Sequence, residues 1–196
     1  GVDPADGDEE AYNGEDDTAV SLRRARRVHY TKRRHNLDPR QAANWVAKLV
    51  EDCERDFGEK PSAINVDGTG VGSGCYALLK DMGLPAHKIM AGEKAYDDDQ
   101  YPRVGDEMWG RMRDWMLDPP VEIPDDPVLV GELISRTFDW DANQRIVLTS
   151  KKVMRKAGAK SPDSADSVAL TFAVRLSGSL GGGKVDHARR SNIRLP

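Results

Sequence analysis

The chain is poor in the features that mark secreted, membrane and nucleotide-hydrolysing proteins. It has two cysteines, Cys53 and Cys75, with no spacing partner and no knuckle pattern. That excludes a disulfide framework and a thiolate metal site, and suits a reduced, cytosolic setting. No apolar run approaches the ~20 residues of a membrane helix, and no basic start precedes an apolar core, so no secretory signal is visible. There is no internal repeat and no Gly-x-x-x-x-Gly-Lys-Ser/Thr phosphate loop, which excludes ATP hydrolysis by that route.

What remains is a well-solvated chain of 196 residues, 38% hydrophobic and 32% charged, the size and balance of one globular domain. It opens on Gly1-Val2-Asp3, which reads as the end of a strand and suggests a piece excised from something longer. The net charge of −4 argues at first against a nucleic-acid partner, but the charge is sorted into blocks. Asp3 to Asp17 holds acids and no bases. Arg23, Arg24, Arg26, Arg27, Lys32, Arg33 and Arg34 follow without an acid, and Lys151, Lys152, Arg155, Lys156 and Lys160 precede Asp163. Acid clusters attract cations and basic clusters attract phosphate, the two needs of an enzyme that brings metal ions to DNA. Solvated surface runs are the plain alternative.

Hydrophobic patterning predicts strands at Val2-Asp3, 18–22 and 28–31. A helix starts at Asp38-Pro39, with the acid at the N-cap, and runs to Gly58. A buried strand, Ala63 to Asp67, meets a glycine run, with a helix from Cys75 to Met82 and a strand at 88–91 beyond it. The stripe Met108, Trp109, Met112, Trp115 and Met116 predicts a core helix, 128–134 a short one, and 138–148 a hairpin. Ser161-Pro162 opens a last helix, Asp163 to about Leu176, and 177–196 reads as a flexible basic tail beyond a domain at 1–176. The four tryptophans are expected in the core and the four histidines in surface or packing roles. This order defines an α/β layer arrangement: a meander, then parallel strands with helical crossovers.

Three acids stand where structure changes: Asp3 and Asp67 at strand ends, Asp163 at a helix start. Strand ends line the ligand crevice of open α/β sheets. Carboxylates brought together there repel, and Mg²⁺ or Mn²⁺ relieves the repulsion. Singly, each acid also has a structural reading, as a turn residue, an Asx-turn or a helix-cap acid. Gly72-Ser73-Gly74-Cys75-Tyr76-Ala77 fits a dinucleotide-binding pattern, but the preceding Asp67 would face a pyrophosphate with the wrong charge.

Gly1 to Ala5 with Asp16-Asp17-Thr18-Ala19-Val20, the stretch Ile64 to Gly72, Asp106 to Trp109 with Trp115-Met116-Leu117, and Ser150-Lys151-Lys152 with the stretch Ser161 to Leu170 together resemble the nuclease domain of tailed-phage terminase large subunits. The resemblance covers nearly the whole chain. It implies an RNase H-like mixed central sheet flanked by helices, with an added β-hairpin. It also implies an endonuclease that cuts concatemeric double-stranded DNA with two Mg²⁺ or Mn²⁺ ions. Asp3, Asp67 and Asp163 would be catalytic metal ligands, with Asp166 a ligand or its partner and Asp17 a further candidate. Lys151, Lys152, Arg155, Arg33 and Arg34 would meet DNA phosphates, although the arginine block could instead dock a motor domain. The implied partners are double-stranded DNA, the terminase ATPase domain, the portal protein and the terminase small subunit, in the host cell cytoplasm and not at a membrane. The loop from Asp3 to Asp17 is longer and more acidic than the family pattern, which leaves Asp8, Glu9 and Glu15 unassigned. A non-catalytic packaging module and another RNase H-like nuclease, such as a junction resolvase, are the alternatives.

Overall fold

The structure, a computed structural model, describes residues 1–5 and 17–173, except 157, 159 and the side chain of Arg155. Asp8, Glu9, Glu15 and the 177–196 tail lie outside the described residues.

Five strands form one sheet: β1 (Val2–Asp3), β2 (Asp17–Arg24), β3 (Arg27–His35), β4 (Ile64–Asp67) and β5 (Ala86–Ile89), in the order β3-β2-β1-β4-β5. The first three form the antiparallel meander, with β3 at one edge, whereas β4 pairs parallel with β1 and with β5. Crossover helices α1 (Pro39–Phe57) and α2 (Gly72–Asp81) make those parallel pairings possible and cover one face. Val2, Val20, Ile64 and Val66 of the sheet pack there against Trp45, Val46, Leu49, Val50 and Leu79. The other face carries α3 (Val104–Met116), α4 (Pro127–Ser135) and α6 (Asp163–Leu170), with Met108, Trp109, Met112, Leu129 and Val168 in its core. A separate hairpin, β6 (Phe138–Trp140) and β7 (Ile146–Leu148), leads into α5 (Lys151–Lys156).

The start of α1 is built as its sequence predicts. Asp38 accepts from the Gln41 amide while the Gln41 side chain accepts from Asp38 N–H, a reciprocal capping box, and Gly58 ends the helix with φ 72°. Several expectations need correction. The meander strands are longer, and α2 begins at Gly72 rather than Cys75. A Cβ on Gly72 would lie 1.8 Å from the Asp67 carbonyl oxygen, so the glycine allows close helix–strand packing. Helix α6 ends at Leu170, and α5 was not expected. Trp140 is 57% exposed rather than core, because a two-stranded ribbon offers no second layer to bury both of its faces.

Helix α6 lies against β1, β2 and β4 through small polar residues. Ser167 Oγ meets Ser21 Oγ at 2.6 Å, and Asn65 Nδ2 donates to Leu170 O at 2.7 Å. A Cβ on Gly1 would lie 1.9 Å from Ser167 O. Close approach is what brings the start of α6 to the end of β1.

Candidate active site

A cavity of about 250 Å³ opens where β1 and β4 end, lined by Asp3, Asp17, Asp67, Thr69, Ser161, Asp163 and Lys151. Asp3 is buried at the end of the short central strand β1. Burial pushes its pKa well above the usual carboxylate range; Lys151 pulls the other way, and the charges of Asp166, Asp163 and Asp67 push further upward. The four acids therefore share one electrostatic neighbourhood.

Each acid is oriented by a specific contact. Asp67 Oδ1 accepts from the Thr69 amide at 3.0 Å and from its hydroxyl, the Asx-turn expected before the glycines. The structural and functional readings of Asp67 are therefore compatible. Asp163 Oδ2 accepts from Asp17 N–H at 2.9 Å. Asp17 in turn pairs with His35 Nδ1 at 2.7 Å, a contact for which the scattered histidines gave no signal. Asp166 lies back from the cavity: its Oδ1 accepts from the Trp109 indole N–H at 2.8 Å, and its Oδ2 pairs with Lys151 Nζ at 2.7 Å. Trp109 is core, as its helical spacing predicts, yet its polar edge also serves the acid cluster.

Lys151 is the cation among these acids. Burial alone would lower its pKa, but Asp166, Asp3 and Asp163 outweigh that and raise it, so it stays charged. The five basic residues expected at DNA divide into groups. Lys151 and Arg33 make internal pairs, Arg33 with Asp126 Oδ2 at 2.8 Å and Ser164 Oγ at 2.9 Å. Lys152 and Arg34 are exposed, with Arg34 stacked over Trp45 at 5.0 Å, and the side chain of Arg155 lies outside the described residues. Elsewhere in the arginine block, Arg24, Arg26 and Arg27 pair with Glu59, Asp118 and Glu122.

The resembling stretch Asp106 to Trp109 supports the neighbourhood rather than lining it. Asp106 Oδ1 accepts from Leu148 N–H at 2.8 Å and so fastens the hairpin to α3, and burial raises its pKa. Glu107 is buried, accepts from Tyr96 N–H and pairs with Arg111.

An all-oxygen donor set suits a hard divalent cation. Among the described residues no three His, Cys, Asp or Glu side chains close around a single point. The cavity instead leaves room for ions that keep several of their waters, as Mg²⁺ does. On these terms the acids of the cavity fit a hydrated divalent cation. Among the described residues no helix is long and apolar enough to cross a membrane.

No protein-family model matches the sequence, and a comparison with curated proteins gives no match. The likeness lies in the fold. The nuclease domain of the large terminase subunit gp2 of bacterial virus Sf6 superposes with a TM-score of 0.72 at 18% identity, over 90% of this chain and 87% of that one. A mutant of that domain, with manganese and beta-thujaplicinol, gives 0.72 at 17% identity over 90% and 87%. The large terminase nuclease of thermophilic phage G20c gives 0.60 at 17% identity over 88% and 79%, and that nuclease also has structures with bound cobalt and magnesium. The mixed five-stranded sheet with flanking helices is thus an RNase H-like fold. More particularly, it is the fold of phage large-terminase nuclease domains.

Proposed function

We propose that residues 1–176 form the metal-dependent endonuclease domain of a viral DNA-packaging terminase, cutting concatemeric double-stranded DNA in the host cytoplasm. The observation that carries this reading is the gathering of Asp3, Asp67 and Asp163, distant in sequence, around one cavity that Lys151 also lines, with Asp166 behind. The metals in the structures of similar fold, manganese, magnesium and cobalt, support divalent-ion use.

Asp3, Asp67 and Asp163 would hold two Mg²⁺ or Mn²⁺ ions, with Asp17 as a further ligand and Asp166 behind. Bound there, such ions would activate a water and steady the departing 3′ oxygen of the phosphodiester. The chain's own contribution is orientation and charge. The Asx-turn points Asp67, the Asp17 amide holds Asp163, and Lys151 with Trp109 holds Asp166. Lys152, Arg34 and Arg155 are the proposed phosphate contacts, which position duplex without reading its sequence. The ATPase domain, portal protein and small subunit are the proposed assembly partners.

Plasmid cleavage with Mn²⁺ by the wild type and by Asp67→Ala tests the reading. Loss of a ligand should cost more than the ~10–100-fold typical of outer-shell partners. Equal cutting by the variant removes Asp67 from the site.

A further inference from the structure

A helix start leaves its first amides without intrahelical partners, and a side chain just before the helix usually accepts from them. Pro162 stands at the N-cap position of α6 and offers no side-chain cap to the first turn. Of the acids in that turn, Asp163 receives the Asp17 amide and Asp166 holds Lys151 and Trp109. The acceptor comes from another helix. Glu132 of α4 accepts from Ala165 N–H through Oε2 at 2.8 Å, where an ordinary cap would reach.

We propose that Glu132 is a positioning residue for the acidic site, capping α6 from α4 and thereby fixing where Asp163 and Asp166 stand. The proposal rests on the nuclease reading and adds a residue to it. Glu132 is half-buried between α4 and α6, where a carboxylate gains from the positive end of the α6 dipole. Burial, together with the nearby charge of Asp163, raises its pKa.

The frame that holds Glu132 is itself fastened. Asp126 caps α4 by accepting from the Val128 and Leu129 amides, and Leu129 is fully buried beneath that helix. Arg33 of β3 bridges Asp126 and Ser164, tying the start of α4 to the first turn of α6. These bonds join α4 and β3 to the turn that carries both acids. On this account Arg33 acts inside the protein, not on DNA.

The test compares the full chain with Glu132→Ala and Glu132→Gln, reading three quantities: amide exchange at Ala165, the Mn²⁺ concentration for half-maximal plasmid cleavage, and the melting temperature. Glu132→Ala should speed Ala165 exchange and raise the Mn²⁺ requirement about tenfold, the lower range for outer-shell partners. Glu132→Gln keeps a carbonyl acceptor and should restore both to within about threefold of wild type, since a neutral acceptor still satisfies the amide.

Unchanged exchange in Glu132→Ala overturns the proposal. So does faster exchange with an unchanged Mn²⁺ requirement, or a Gln variant as impaired as Ala. If Glu132→Ala does not fold, the wild-type Ala165 amide decides, because a freely exchanging Ala165 has no cap. A wild type that neither binds Mn²⁺ nor cuts refutes the nuclease reading, while Ala165 exchange still judges the cap.

Discussion

Where β1 and β4 begin, an arginine is held by neutral groups; where they end, carboxylates gather around Lys151. At the first end a larger cavity, about 380 Å³, is bordered by Gly1, Asn65, Thr171 and the aliphatic face of α1. Arg23 lies there against the Phe172 ring at 4.1 Å and donates to Thr171 Oγ1 at 2.8 Å and to Thr171 O at 2.9 Å. At the other end the smaller cavity collects Asp3, Asp17, Asp67 and Asp163. Cavity size therefore does not mark the chemistry. The mark is like charge gathered without enough counter-charge, an arrangement that costs stability and that a cation relieves.

Removing Lys151 should break the contrast most. Lys151→Ala leaves Asp166 unpaired beside Asp3 and Asp163 and should destabilise the metal-free protein by about 3 kcal/mol or less. That is the lower end for breaking a buried pair, since the lysine side chain is 37% exposed. Thermal melts with and without Mg²⁺ check it: the ion should raise the melting temperature more in the variant than in wild type.

Arg23→Met tests the opposite end. Losing its hydrogen bonds and its place over Phe172 should cost about 2 kcal/mol in urea unfolding. The Mn²⁺ requirement of cleavage should stay as in wild type, and a shift would mean that the two ends are coupled.

The smallest effect is in pH. The folded state keeps a proton on Asp3 above the ordinary 3.8, where the unfolded chain has lost it. Stability should therefore fall as pH rises from about 4 through the raised folded-state pKa, then stay lower. Glu132 and Asp106, also raised, act in the same sense. Urea midpoints from pH 4 to 7 should slope less for Asp3→Asn. Mn²⁺ affinity should run the other way in wild type, rising with pH as Asp3 ionises.

The same contrast divides what was legible from what was not. Helix α1 was legible at both ends because its cap, its first-turn proline and its terminal glycine are neighbours in the chain. The strand ends at Asp3 and Asp67 were legible because apolar residues give way there to a proline or to glycines. Helix α6 was placed by Ser161-Pro162, but its length was overdrawn and its cap was invisible, since Glu132 lies 33 positions upstream. Trp109 was readable as core from its spacing, while its bond to Asp166 spans 57 positions. The basic blocks read as phosphate-binding surface, yet Arg23, Arg33 and Lys151 are engaged inside the protein.

By itself, then, the sequence determined where α1 starts and stops, where α6 starts, and which acids stand at the strand ends. Those are short-range matters of backbone preference and neighbouring hydrogen bonds. Only the tertiary structure decided which acids share a cavity, which of them lies behind, and which cations are spent in holding them. Electrostatic proximity depends on how α6 packs on the sheet, and that packing rests on contacts between residues more than a hundred positions apart.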